Sequence, residues 1–164
     1  MAERNLVRVL PTLHKEWIIS FSLFADKNQP HKSNLFHITT SINGHVDEEG
    51  TIFDINLISG PNLGKYLEFK FNQKTYGSLD NSSISPSDQS TSVEISQMPR
   101  DESFCFKVIL NENQTFEIPV HDAKNHTLVY VFAAANFSDC KGLCSIKHAA
   151  GGLVENLVIN SVGK

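Results

Sequence analysis

From Trp17 to Phe24 the apolar residues fall at alternate positions. Trp17, Ile19, Phe21 and Leu23 line one side of an extended backbone, with Ile18, Ser20, Ser22 and Phe24 on the other. That is the two-residue period of a strand. The pattern recurs along the chain. "NLFHITT" offers Phe36 and Ile38; "TIFDINL" sets Phe53, Ile55 and Leu57 against Asp54 and Asn56; "YLEFKF" sets Leu67, Phe69 and Phe71 against Glu68 and Lys70. "SVEIS" supplies Val93 and Ile95, "FCFKVIL" supplies Phe104, Phe106, Val108 and Leu110, and "TFEIPV" supplies Phe116, Ile118 and Val120. "TLVYVFAA" and "GLVENLVI" complete a set of nine segments. With no helical stripe, they predict an antiparallel all-β domain of two sheets packed face to face. Its predicted core includes Trp17, Phe21, Phe69, Phe106, Val108 and Leu157.

The spacers carry turn chemistry. "INGH" and "ISGPNLG" supply Gly and Asn for positive φ and Pro for a fixed φ, and "NENQ" between two strong strands reads as a hairpin turn. "GSLDNSSISPSDQSTS" is the most polar stretch, a surface loop too short to join two domains. No internal repeat or composition break divides the 164 residues, a length that suits one domain with an ordinary core.

Charge and length narrow the function classes. The chain carries 14 Lys and Arg against 18 Asp and Glu, a net charge of -4, so no basic surface invites nucleic acid. Apolar runs are short and interrupted, so no membrane-spanning helix is expected. The first residues, "MAERNLVRVL", lack the long apolar core and the cleavage site of a signal peptide. Four sequons, at Asn81, Asn113, Asn125 and Asn136, favour an extracellular protein whose signal peptide is not part of this chain. A cytosolic protein is the alternative.

Three cysteines are an odd number. Cys140 and Cys144 in "SDCKGLCSIKH" are spaced to close a tight disulfide loop. Two further readings stay open, a pair of reduced structural thiols and, with His148, a Cys-x3-Cys-x3-His metal site. Cys105 stands between Phe104 and Phe106 on the opposite side of its strand, which reads as a partly covered, inert thiol.

The densest polar cluster is "NGHVDEEG", with Asn43, His45, Asp47, Glu48 and Glu49. An oxygen-rich loop of this kind can hold calcium, with Asp47 and Glu49 as the metal ligands, or donate and accept hydrogen bonds with sugar hydroxyls. Its alternative reading is a solvated acidic turn. His121 and Asp122 form a second polar group, with no nucleophile motif beside them. Asp54, Glu68, Glu94 and Glu117 each stand alone among apolar neighbours and read as outward partners of core residues, not as the paired carboxylates of a glycan hydrolase.

The blocks "NLVRVLPTLHKEWIISFSLF", "LFHITT", "VEISQMPRDESFCFKVILN" and "AAGGLVENLVI" resemble the concanavalin A-like, laminin G-like domains of animal extracellular proteins, and together they span nearly the whole chain. The resemblance implies a jelly-roll sandwich over residues 1–164, with Trp17 and its neighbours paired near Leu153 to Ile159. It further implies a secreted, non-enzymatic recognition module, lectin-like or adhesive, that binds glycan or an extracellular protein. The chain departs from the family where members often carry a Gly-Asp-Arg loop, having "SINGHVDEEG" instead, and where they place a Trp at the position of Ser90. A relative's ligand preference therefore does not transfer. Two other classes compete: a structural or self-assembling protein that associates as a homo-oligomer through sheet edges or Cys105, and a glycan hydrolase. If a ligand site exists, the loop Asn43 to Glu49 is the first expectation, and the loop Cys140 to His148 the second.

Overall fold

The computed structural model describes residues 5–25, 33–41, 50–60, 64–71, 74–79, 90–133 and 152–161, and every regular element among them is a strand. In chain order these are β1 (Asn5–Leu13), β2 (Trp17–Ala25), β3 (Ser33–Thr39), β4 (Thr51–Gly60), β5 (Gly64–Phe71) and β6 (Lys74–Leu79). They continue with β7 (Thr91–Arg100), β8 (Ser103–Leu110), β9 (Asn113–Val120), β10 (His126–Ala133) and β11 (Gly152–Ser161). One antiparallel sheet has six strands in the order β1-β10-β3-β4-β5-β6, and the other has five in the order β11-β2-β7-β8-β9. The expected pairing of β2 with the closing strand holds, with Ile19 opposite Ile159 and Phe24 opposite Leu153.

The chain changes sheet just before Trp17. β1 ends at Leu13 in the six-stranded sheet and β2 begins at Trp17 in the other, so His14 to Glu16 cross between layers. The crossing is pinned by its backbone: His14 N donates to Ser161 Oγ (2.6 Å), Lys15 N to Asn125 Oδ1 (2.8 Å), and Gln97 Nε2 to Lys15 O (2.7 Å). Strands β1 and β6 are additions to the nine read from the pattern. β1 is apolar in both phases, and Leu6, Val7 and Val9 remain 50%, 46% and 45% exposed on this edge strand. β6 ("KTYGSL") has too little apolar content to announce itself, and its register comes from β5 alone. It takes in Gly77–Leu79, which the polar pattern assigned to a surface loop.

The inward phase of each strand meets between the sheets. Phe106 is the aromatic hub: it stacks on Phe71 (4.1 Å between centroids, 19° between planes), meets Phe53 at 5.3 Å and takes the edge of Trp17 at 6.2 Å. Phe21 stacks on Phe36 at 4.6 Å. These contacts join β2 and β8 of one sheet to β3, β4 and β5 of the other. Trp17, Phe21, Phe69, Phe106 and Val108 are buried as expected, while Leu157 is only partly buried against the same cluster. Its strand has a register shift between Glu155 and Val158, with Asn156 at φ 56°, which turns the local backbone off the regular alternation.

β7, β8 and β9 form a meander with two tight turns. Asn111 and Glu112 both take positive φ (49° and 67°), the conformation of a two-residue turn whose twist matches the flanking strands. The "NENQ" turn is thus where the sequence placed it. Asn111 also locks β7, its N–H donating to Ser92 O and its Oδ1 accepting from Ser92 N, both at 2.9 Å. At the other end Arg100 pairs with Ser103 across the turn that holds Asp101 and Glu102.

Candidate ligand-binding faces

The acidic cluster Asn43, His45, Asp47, Glu48 and Glu49 lies outside the described residues, as do Cys140, Cys144 and His148. What is placed is where those loops leave the sandwich. The acidic segment stands in the sequence between β3 and β4, and the residues flanking it are joined by Thr40 N donating to Gly50 O at 3.0 Å. The segment that carries Cys140 and Cys144 follows β10 of the six-stranded sheet, which ends at Ala133, and precedes β11 of the other sheet, which begins at Gly152. His121 and Asp122 are both exposed in the β9–β10 connection. His121 Nδ1 lies 3.3 Å from Ser103 Oγ, whose hydroxyl donates to Val120 O at 2.6 Å. This pair forms a solvated turn.

The face of the six-stranded sheet that points away from the core carries a polar network. A register shift between Asn34 and Phe36 leaves Leu35 as the extra residue of a bulge, so Asn34 joins His37 on this face. Asn34 Nδ2 donates to Asp54 Oδ1 (3.1 Å) and Asn56 Oδ1 (2.8 Å), Asn56 Nδ2 donates to Glu68 Oε1 (3.5 Å), and His37 Nδ1 makes a short contact with Asp54 Oδ1. Asn34, His37, Asp54 and Asn56 are fully buried, with the His37 ring 6.1 Å from Phe132. Among the described residues His37 Nε2, Asp54 Oδ2 and Thr51 Oγ1 have no hydrogen-bond partner. A network closed to solvent holds strand register more readily than it meets a ligand.

The outer face of the five-stranded sheet is open. Ser96, Lys107 and Glu117 stand in line across β7, β8 and β9, and Met98 and Cys105 form the adjoining row. With Pro99 and Arg100 they line a groove of about 450 Å³. Arg100, the last residue of β7, reaches across β8 so that Nη1 donates to Glu117 Oε1 at 2.6 Å and lies 3.7 Å from Cys105 Sγ. The thiol in turn lies 3.7 Å from Glu117 Oε2. Cys105, expected on the outward side as a partly covered thiol, is free and buried, covered by a salt bridge as well as by its strand.

The hydrogen bond from Arg100, ahead of its charge, holds the Glu117 carboxyl below the usual carboxylate range, while the Glu117 hydrogen bond, followed by the contact with Cys105, raises the guanidinium further above its own. Both groups are charged at neutral pH. Lys107, directly opposite Glu117, adds a second cation.

The reading of Asp54, Glu68 and Glu117 as isolated outward acids needs correction. Each points away from the core but bonds a side chain of its own or an adjacent part of the sheet: Asp54 bonds His37 and Asn34, Glu68 bonds Asn56, and Glu117 bonds Arg100. These partners come from other strands, so a scan of sequence neighbours misses them. Arg100 and Lys107 were not singled out either. Their signal was present, since Ser96, Met98 and Arg100 share one phase of β7 and Cys105 and Lys107 one phase of β8.

No protein-family model matches the chain, and no curated protein matches it. Solved structures do. The heptameric SAP-like pentraxin of Limulus polyphemus superposes with a TM-score of 0.58 at 11% identity, covering 95% of this chain and 68% of that one. Sheep galectin-11, solved with glycerol, gives 0.54 at 6% identity, covering 95% and 98%. An alginate lyase from Pseudomonas aeruginosa gives 0.56 at 12%, covering 90% and 65%. The chain has the concanavalin A-like jelly-roll fold that these structures share, and such a fold hosts many functions.

Proposed function

We propose that the chain is a non-enzymatic glycan-recognition module that works outside cells, and that its binding surface is the groove across β7, β8 and β9. The observation that carries this reading is the groove itself: about 450 Å³, open, and lined by Arg100, Lys107, Glu117 and Ser96 beside the apolar Met98 and Pro99. Sugars present hydroxyls and apolar C–H faces together, so a site for them needs fixed donors and acceptors next to an apolar wall. The Arg100–Glu117 hydrogen bond fixes both side chains before a ligand arrives. The likeness to a galectin and a pentraxin supports the same reading. Among the described residues one carboxylate, Glu117, lines the groove, which favours binding over the two-carboxylate chemistry of glycan cleavage.

The acidic loop remains a second element of the proposal, with Asp47 and Glu49 as calcium ligands and Asn43, His45 and Glu48 beside them. Binding of the chain to an array of neutral and acidic oligosaccharides, with and without calcium, tests both. Replacing Arg100 and Glu117 together by Ala weakens binding if the groove is the site; replacing Asp47, Glu48 and Glu49 by Ser weakens it if the loop is. No saccharide binding under either condition refutes the module reading.

Self-association has one observation of its own. Leu6, Val7 and Val9 on the edge strand β1, Leu128 on its neighbour β10 and Val158 on β11 are the exposed large hydrophobics among the described residues. β1 and β11 sit at the same side of the sandwich, where Arg8 Nη2 donates to Leu157 O at 3.4 Å. An uncovered apolar edge is a place where chains pair. A sedimentation series that stays monomeric at all concentrations excludes it.

A further inference from the structure

The groove's charge differs in sign from that of the chain. Arg100 and Lys107 contribute two positive charges and Glu117 one negative, a local balance of +1 from the described lining residues, in a protein whose net charge is -4. The other carboxylates of this region do not line it: Asp101 and Glu102 are exposed in the β7–β8 turn, and Glu94 stands opposite Ile109, one row further along the sheet. The two cations are also unequally engaged. Arg100 uses Nη1 for both Glu117 and Cys105, and its Nη2 and Nε make no hydrogen bond with a described residue. Lys107 faces Glu117 across the ladder without forming an ion pair with a described residue.

Glu117 therefore organises the arginine without neutralising the groove. Its carboxylate holds one corner of the guanidinium, and the remaining N–H groups stay available in a fixed, planar fork suited to an oxyanion. An incoming anion needs no new ordering of Arg100, and it meets Lys107 as a second positive charge. A neutral sugar would gain from the hydroxyl-bonding groups but leave this positive balance unused.

We infer that the groove across β7–β9 selects acidic saccharides, with the anionic group, a carboxylate or a sulfate, received by Arg100 and Lys107 and the sugar ring resting on Met98 and Pro99. This rests on the glycan-recognition reading of the same groove and adds the ligand class to it.

The test is isothermal titration of the intact chain with matched oligosaccharides: a uronic acid oligomer and its carboxyl-reduced form, and a sulfated oligomer and its desulfated form. Acidic members bind more tightly than their neutral partners, and the affinity falls as salt rises from low to physiological ionic strength. The pair showing the larger difference tells carboxylate from sulfate. Lys107→Gln weakens acidic binding about fivefold, the worth of one surface charge at contact distance. Glu117→Gln takes the lining from +1 to +2 and strengthens it. Circular dichroism confirms that each variant folds. Equal affinity for acidic and neutral partners, or equal losses in Lys107→Gln and Glu117→Gln, overturns the acidic preference while leaving the glycan reading in place. Failure to bind any of the four oligomers overturns the acidic preference, and only absence of binding across the whole array of neutral and acidic oligosaccharides overturns the glycan reading with it.

Discussion

Phe106 is where the two sheets are keyed together, and its removal has a calculable cost. The side chain is fully buried and touches aromatic rings on both sides: Trp17 in its own sheet, Phe53 and Phe71 in the facing one. Truncating a buried Phe to Ala costs about 3 to 5 kcal/mol in lost transfer free energy and cavity. Aromatic pairs contribute about 0.5 to 1.5 kcal/mol beyond their burial. With three such pairs lost at once, Phe106→Ala falls at the top of the range, about 4 to 5 kcal/mol. That is a large share of the roughly 5 to 15 kcal/mol that stabilises a domain. At about 2 to 4 °C per kcal/mol for a chain of this size, it lowers Tm by about 8 to 20 °C. Urea unfolding followed by the fluorescence of Trp17, the single tryptophan, reads the loss directly. The slope m stays unchanged if the denatured state is the same. Phe106→Leu, which refills most of the cavity, costs about 1.5 kcal/mol or less. A loss below about 2 kcal/mol for the alanine variant would show that the sheets are not joined through this ring.

Two further outcomes follow from the polar groups. Asp54→Ala leaves the buried His37 Nδ1 and Asn34 Nδ2 without their shared acceptor, and costs about 3 kcal/mol in chemical denaturation; Asp54→Asn, which keeps an acceptor oxygen, costs less, and equal losses in the two variants contradict the network reading. Burial, followed by the charge of Lys124, holds the His126 pKa below its ordinary value, so the unfolded chain binds the extra proton first. Its contribution to stability is complete above the unfolded pKa and is lost as pH falls through that value toward the lower folded one. His126→Asn flattens this part of the stability profile between about pH 7 and 5, a range around the ordinary histidine pKa, and an unchanged slope refutes the assignment.

Alternation alone carried most of the architecture. A strand half-buried in a sandwich has to present apolar residues at every second position, so Trp17, Ile19, Phe21 and Leu23, or Phe104, Phe106, Val108 and Leu110, declare both their conformation and the side that faces the core. The "NENQ" turn was equally legible, because Asn tolerates the positive φ that a two-residue hairpin demands. Where those constraints relax, the sequence falls silent. β1 is apolar in both phases, so its alternation does not say which side faces the core, and β6 is nearly without apolar residues, so only its pairing with β5 reveals it. The polar stretch His14 to Glu16 marks a break but not a change of sheet, since the crossing depends on hydrogen bonds to Gln97, Asn125 and Ser161, each far along the chain.

The chemistry divides the same way. Period-two spacing assigns Cys105, Lys107 and Glu117 to outward faces, but it does not say that Arg100 reaches over Cys105 to Glu117, or that Asp54 is sealed against His37 and Asn34. Burial and charge pairing depend on which strands become neighbours. That order, β11-β2-β7-β8-β9 in one sheet and β1-β10-β3-β4-β5-β6 in the other, is set by packing between segments far apart in sequence, so tertiary structure alone turned solitary acids into one buried network and one open, positively balanced groove.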